Sequence, residues 1–285
     1  MRIANGWEDY QLIDASCSER LENWKGNLVI RPDPQIIWES PNPSSKWNQA
    51  VAHYHRSQRG GGEWEFHSKP LKNLQLSYQS LRFKVSPTNF KHMGIFPEQA
   101  VNWDWMMQKI NDSTRPISVL NLFAYTGGAT LACANAGATV CHVDAAKGMV
   151  QWAKENAVLS SLENAPIRWI VDDCEKFVER EIRRGRHYDG IVMDPPSYGR
   201  GPGKEVWQLE KKIYNLVQRT SLLLTDKPLF FVLNSYTTGL SPSTMGYVLS
   251  LAVKSRFKNI CSDEIGLPVL QTGLPLPCGA TALAY

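Results

Sequence analysis

Val119-Leu120-Asn121-Leu122-Phe123-Ala124-Tyr125-Thr126-Gly127-Gly128-Ala129 passes from an apolar run through a glycine turn into small, helix-forming residues. The run predicts a buried strand over 117–123, and the residues after the turn predict a helix over 129–136 that stops at Gly137. Glycines at such a junction let the backbone approach a ligand closely, and the helix start offers unpaired N–H groups. The turn is not G-x-G-x-x-G, because Ala124, Tyr125 and Thr126 fill its middle, so by itself it is also compatible with a plain structural turn.

The same alternation continues outward. Short apolar runs over 139–143, 167–171, 188–193 and 229–233 predict further strands. Helices are predicted between them at 145–160, 174–184, 205–224 and 242–255, with another before the first strand at 98–110. Strand–helix units in series require crossovers that cover both faces of an open parallel sheet, which binds ligands beyond the carboxyl ends of its strands.

Those ends carry chemistry. The second strand ends in Asp144, 21 residues beyond Phe123, a spacing that suits a carboxylate accepting from ribose hydroxyls; the plain alternative is a cap on the next helix. The third ends in Asp172-Asp173, where one acid can accept from an adenine amino group while the other caps a helix. The fourth ends in Asp194-Pro195-Pro196-Ser197-Tyr198. Two prolines after a buried strand fix an extended turn, remove two N–H donors and leave carbonyls facing outward. With a carboxylate and an aromatic ring beside them, they form an acceptor-rich platform for a flat ring bearing N–H groups.

The first 85 or so residues differ in texture, being rich in Trp, Pro and Gly. Leu28-Val29-Ile30, a hairpin signal from Gly60-Gly61-Gly62 into Glu63–His67, and the alternating Leu81-Arg82-Phe83-Lys84-Val85 read as a small, mostly β appendage. The expected division is 1–90 for this domain and 91–285 for the sheet-bearing one.

Composition is that of an ordinary globular protein: 43% hydrophobic, 20% charged, with 20 Gly and 17 Pro among 285 residues, which excludes collagen-like and wholly disordered readings. No apolar run is long enough for a membrane span, and Met1–Asp9 lacks the apolar stretch of a signal peptide, so a cytoplasmic protein without membrane association is expected. The six cysteines, Cys17, Cys133, Cys141, Cys174, Cys261 and Cys278, show no metal-ligand spacing and read as reduced core thiols; no metal is expected. A net charge of +4 permits a polyanionic partner, and basic residues gather at Arg180, Arg183, Arg184 and Arg186 and again at Arg200, Lys204, Lys211 and Lys212. A solvated helix face is the competing reading of these clusters. Trp24, Trp38, Trp47 and Trp64 read as core packing rather than base-stacking surfaces.

Taken together, Asn121–Gly128, Asp144, Asp173 and Asp194–Tyr198 resemble the class I S-adenosylmethionine-dependent methyltransferases, and more narrowly the bacterial family related to the large-subunit ribosomal RNA methyltransferases. Tyr10–Asp14, Arg31–Gln35, Gly94–Gln99 and Ser197–Gly203 look like landmarks of the same family. The resemblance implies a Rossmann-like α/β sheet of seven strands, the last one antiparallel and supplied by 280–285. It implies S-adenosylmethionine as cofactor, with Phe96 and Gln99 beside it, Asn121, Phe123, Thr126 and Gly127 around its methionine end, Asp144 at the ribose and Asp173 at the adenine. It places Asp194, Pro195 and Tyr198 at the methyl-acceptor site and implies RNA, ribosomal RNA first, as the partner. A small molecule or protein side chain is the alternative acceptor; a dehydrogenase-like binding protein is disfavoured by the missing G-x-G-x-x-G. No cysteine adjoins Asp194 to add to a pyrimidine ring, so an exocyclic or ring nitrogen, of a purine first, is the expected acceptor. His92 is a further candidate for the pocket wall.

Overall fold

The computed structural model describes residues 1–57, 61–68, 71, 74–200, 206–237 and 239–285. The chain forms two compact units, one of residues 3–100 and 266–277, the other of residues 1–2, 101–265 and 278–285. Residues 266–277, placed with the sheet-bearing domain on sequence grounds, thus belong to the N-terminal unit. There, Leu12 forms a parallel bridge with Val269, and Ala4 N–H donates to the Gly266 carbonyl at 2.9 Å.

After an edge strand β1 (Arg2–Ile3), the N-terminal unit builds a five-stranded sheet from β2 (Tyr10–Ser16), β3 (Glu19–Trp24), β4 (Asn27–Pro32), β5 (Ala52–Arg56) and β6 (Gly62–Phe66), and a separate hairpin of β7 (Leu74–Tyr78) and β8 (Leu81–Val85). The β5–β6 pair is the hairpin expected around the glycines, of which Gly60 lies outside the described residues. In β8, Leu81, Phe83 and Val85 are buried while Arg82 and Lys84 are partly exposed, the alternation of a strand with one covered face. The β3–β4 turn places Lys25 and Gly26 at φ 50° and 86°, the left-handed pair that matches strand twist in a two-residue hairpin.

The second unit keeps the predicted order: α1 (Ala100–Asn111), β9 (Ser118–Leu122), α2 (Gly128–Asn135), β10 (Thr139–Asp144), α3 (Lys147–Leu159), β11 (Ile167–Val171), α4 (Cys174–Arg183) and β12 (Gly190–Met193). It continues through β13 (Tyr198–Arg200), β14 (Val206–Gln208), α5 (Leu209–Ser221), β15 (Phe230–Ser235), α6 (Pro242–Val253), β16 (Ile260–Pro268) and β17 (Pro275–Ala284). The sheet runs β1-β16-β17-β15-β12-β9-β10-β11, so the seven expected strands gain an eighth at the edge, the two-residue β1. From β9 to β15 the pairs are parallel, and β17 returns antiparallel to β15 with Leu233 opposite Ala282. The helix expected over 205–224 starts later, because Val206-Trp207-Gln208 pairs with Tyr198-Gly199-Arg200 as a short ribbon. Four cysteines are buried as expected, but Cys17 and Cys261 are exposed. Among the described residues no helix is long and apolar enough to cross a membrane.

Helix packing under the glycine turn is close. A Cβ on Gly128 would stand 2.5 Å from the Trp103 ring of α1. Gly128→Ala is therefore expected to destabilise the protein by about 1–3 kcal/mol through overpacking. Chemical denaturation would show it, and an unchanged midpoint would contradict the contact.

Candidate active site

The strand register creates a row of residues at the carboxyl rim. Leu122 of β9 is level with Val143 of β10 and with Met193 of β12, so the next residues, Phe123, Asp144 and Asp194, leave three adjacent strands side by side. The chain adds strands β10 and β11 on one flank of β9 and then β12 on the other, which opens a crevice at this rim.

The turn after β9 is held in a sharply folded form. Phe123, Tyr125 and Gly127 have φ of 56°, 50° and 91°; only glycine adopts this region without steric cost. Several bonds hold it. Tyr125 N–H donates to Asp144 Oδ2 at 2.8 Å, Phe123 N–H to Cys174 Sγ at 3.3 Å, and the Asn156 amide to the Thr126 carbonyl at 2.9 Å. Asp144 Oδ1 accepts from Ala146 N–H, so the carboxylate ties both flanking turns and is not the cap of α3, whose first flanking residue is Ala146. Burial pushes the Asp144 carboxyl above its usual range against the pull of these two N–H groups. Each oxygen retains a lone pair for a hydroxyl donor.

Asn121 does not present its side chain at the rim. Its amide donates to Thr130 Oγ1 at 2.9 Å, leaving the threonine hydroxyl to donate to His142 Nδ1, also at 2.9 Å. Burial, with a contribution from Lys154, pushes His142 down to about 3, so it is neutral at physiological pH. Asn121 is expected at the cofactor's methionine end on the resemblance, and its side-chain amide is held in this buried network under α2. Thr126 is also buried, with its backbone carbonyl engaged by Asn156.

The acid pair after β11 divides its work. Asp173 Oδ1 caps α4 by accepting from Lys176 N–H at 2.9 Å, while Asp172 accepts from Asp173 N–H and pairs with Arg180. The cap thus falls on the residue expected at the adenine, although Asp173 Oδ2 has no partner among the described residues. After β12, Asp194 is half-buried and Pro195 buried. The Pro196 carbonyl does not face outward as an open acceptor: Trp207 Nε1 donates to it at 2.5 Å, and the Trp207 ring lies 5.6 Å from that of Phe123. Tyr198 exposes 54% of its surface. The bracing roles of Asn156, Cys174 and Trp207 escaped the sequence reading because their partners lie 30, 51 and 11 residues away and meet them only in the fold.

Phe96 and Gln99 lie in the N-terminal unit, Phe96 just before the single turn Pro97–Gln99 and Gln99 at its end, with Gln99 N–H donating to the Phe96 carbonyl at 3.1 Å. The His92 ring lies 5.1 Å from that of Phe96, tilted by 51°; burial and the nearby Arg31, Lys91 and Arg20 push it down to about 3. Trp24 is fully buried and Trp47 donates to Asp14, whereas Trp38 is 41% exposed. Of the basic residues, Arg180, Arg184 and Lys212 are paired with Asp172, Glu181 and Glu175. Lys204, Gly201, Gly203 and the Arg200 side chain lie outside the described residues.

A mostly parallel sheet with this strand order carries a glycine turn at its switch point and acids along its carboxyl rim, the edge at which such sheets bind ligands. The profile of the S-adenosylmethionine-dependent methyltransferases matches residues 31–240, and the chain belongs to that family. Its cofactor is S-adenosylmethionine, and the acceptor oxygens of Asp144 and Asp173 suit a ligand rich in hydroxyl and amino donors. The crystal structure of the SAM-dependent methyltransferase from Agrobacterium tumefaciens is similar at TM-score 0.92 and 37% identity, over 99% of this chain and 92% of that one. A ribosomal RNA large subunit methyltransferase K/L from Pseudoalteromonas atlantica is 32% identical over 165 residues, 57% of this chain and 22% of that protein. The same-named protein of Magnetococcus marinus is 26% identical over 235 residues, 80% of this chain and 30% of that protein. The chain thus spans less than a third of the length of these curated relatives.

Proposed function

We propose that this methyltransferase modifies a nitrogen of an RNA base, with ribosomal RNA as the substrate. The observation that carries the reading is the Asp194-Pro195 turn, level with Asp144 and braced through Pro196 by Trp207. The relatives named as ribosomal RNA methyltransferases support the substrate. Bound S-adenosylmethionine supplies an electrophilic methyl carbon on its sulfonium.

The protein's task is alignment. Asp194 and the Pro195 carbonyl accept N–H groups of the acceptor and hold its lone pair toward the methyl carbon, while the exposed Tyr198 ring stacks on the base. Asp144 accepts from the ribose, and the Asp173 oxygen not used in the cap accepts from the adenine amino group. Phe123, Thr126 and Gly127 form the turn around the methionine end. Phe96 and Gln99 are cofactor contacts on the resemblance alone, and the division into an N-terminal domain of 1–90 and a catalytic domain of 91–285 holds apart from 91–100 and 266–277, which pack with the N-terminal unit.

Transfer of tritium from labelled cofactor into RNA, protein and metabolite fractions tests the substrate: label in RNA is expected, and label confined to protein or small molecules overturns it. Asp144→Ala is expected to weaken S-adenosylhomocysteine binding by about 1–3 kcal/mol in calorimetric titration. Asp144→Asn, which keeps one acceptor oxygen, should lose less; equal affinity in all three proteins would remove Asp144 from the ribose site.

A further inference from the structure

The turn after β12 is gripped from both neighbouring strands. β12 lies between β9 and β15 in the sheet, and Leu233 of β15 is level with Met193, so Asn234 stands beside Asp194 and the two chains leave the rim together. On the β9 side, Trp207 closes on the Pro196 carbonyl with its ring 5.6 Å from that of Phe123, and Leu209 N–H donates to the Ser197 carbonyl at 3.1 Å. On the β15 side, Thr237 Oγ1 donates to Ser197 Oγ at 2.6 Å, a bond between residues 40 apart in the chain. The two grips meet at Ser197.

Thr237 is itself held. Its N–H donates to Oγ of the buried Ser235 at 3.1 Å, and its carbonyl accepts from Leu240 N–H at 3.2 Å as the chain turns toward α6. β17 closes on the same loop: a Cβ on Gly279 would stand 3.0 Å from the Tyr236 ring and 3.1 Å from the Ser235 carbonyl. The Thr237–Ser197 bond is partly buried and at the short end of the range for two hydroxyls. Such a bond matters at this turn because a proline ring fixes φ but leaves ψ free. Where the Pro195 carbonyl faces, and where Tyr198 emerges, is therefore set by the bonds on the residues that follow the prolines.

We propose that Thr237 is a positioning residue for methyl transfer: by holding Ser197 from the β15 side, it fixes the Asp194–Tyr198 turn in the form that receives the acceptor. The inference rests on the acceptor role proposed above for that turn. Thr237 acts through Ser197. Without its hydroxyl the turn is held from the β9 side alone, and the Pro195 carbonyl and the Tyr198 ring lose their fixed places. Misplacing reacting groups by about 1 Å can cost up to about 10²-fold in rate, so a brace at this point is felt in the transfer step more than in cofactor binding.

The test is single-turnover transfer from tritium-labelled cofactor to ribosomal RNA taken from cells that lack the protein. Thr237→Val, which removes the donor, is expected to slow transfer on the order of tenfold with affinity for S-adenosylhomocysteine unchanged. Thr237→Ser restores the hydroxyl and should recover most of the rate. Ser197→Ala removes the acceptor and should slow transfer to a similar degree, and the Ser197→Ala/Thr237→Val double variant should be no slower than either single one, because both changes remove the same bond. Losses that multiply in the double variant overturn the clamp, as does a loss of rate and cofactor affinity together that Thr237→Ser does not relieve. If Thr237→Val transfers as the wild type does while Asp194→Ala is slow, the clamp is wrong and the acceptor turn stands. If the wild type labels a protein or metabolite extract and not RNA, the substrate falls and the same rates in that extract decide the clamp. No label in any extract removes both.

Discussion

Asp194→Ala is expected to lower methyl transfer by roughly 10²–10³-fold at saturating cofactor while leaving affinity for S-adenosylhomocysteine within a few-fold. Alignment of the acceptor nitrogen is the main contribution the chain makes to the reaction, and Asp194 is the ionisable group at the strand end where that nitrogen is received. The side chain stands level with Asp144 but two strands away, across β9, so its loss leaves the ribose contacts in place. Asp194→Asn keeps one acceptor oxygen and should retain part of the activity. The measurement is single-turnover transfer beside calorimetric titration. Normal turnover combined with a large loss of cofactor affinity would move Asp194 out of the acceptor site.

Glu22→Gln is expected to cost about 3–5 kcal/mol, the usual result of removing one partner of a buried ion pair. Glu22 is fully buried on β3. Its oxygens accept from Arg31 Nε and a terminal nitrogen at 2.5 and 2.6 Å, from the Tyr10 hydroxyl at 2.8 Å and from Trp24 Nε1 at 3.2 Å, while Arg20 lies 3.7 Å away. Burial alone would raise the carboxyl; Arg31 and Arg20 outweigh it and hold Glu22 down at about 2 against an ordinary 4.5. An acid lowered on folding adds stability that is complete above its unfolded value and is lost as the pH falls through its folded value. The wild type should therefore lose about 3 kcal/mol between roughly pH 4.5 and pH 2, and Glu22→Gln should lack that part of the slope. Urea unfolding of the N-terminal unit, followed by tryptophan fluorescence at several pH values, reads both effects. Parallel pH profiles for the two proteins would contradict the ionised state assigned to Glu22.

The sheet was legible because its central strands are short, nearly continuous apolar runs. Gly190–Met193 and Phe230–Ser235 are buried at every position, and a strand covered on both faces has no alternation to conceal it. The rim acids were legible for a related reason: each comes directly after such a run, and parallel register brings the ends of the runs level. The partition of labour between Asp172 and Asp173 was not legible, since both have the composition of a cap and a one-residue shift in where α4 starts decides it. The resemblance puts Asn121 at the cofactor's methionine end, but the direction of its side chain was not legible. Its direction is set by α2, which brings Thr130 over it.

From the order of residues alone came the doubly wound sheet, the glycine turn at its switch point, the carboxylates at 144, 173 and 194, and the family resemblance. All of these depend on local pattern and on the fixed spacing between neighbours in the chain. Only the tertiary structure decided that Trp207 takes the Pro196 carbonyl, which residues brace the turn, that 266–277 joins the N-terminal unit, and that α4 and α5 bring their cations to one groove. Those outcomes hang on contacts such as Asn156 with Thr126 and Arg219 with Glu179, whose partners are 30 and 40 residues apart and meet only when a helix settles on a particular face of the sheet.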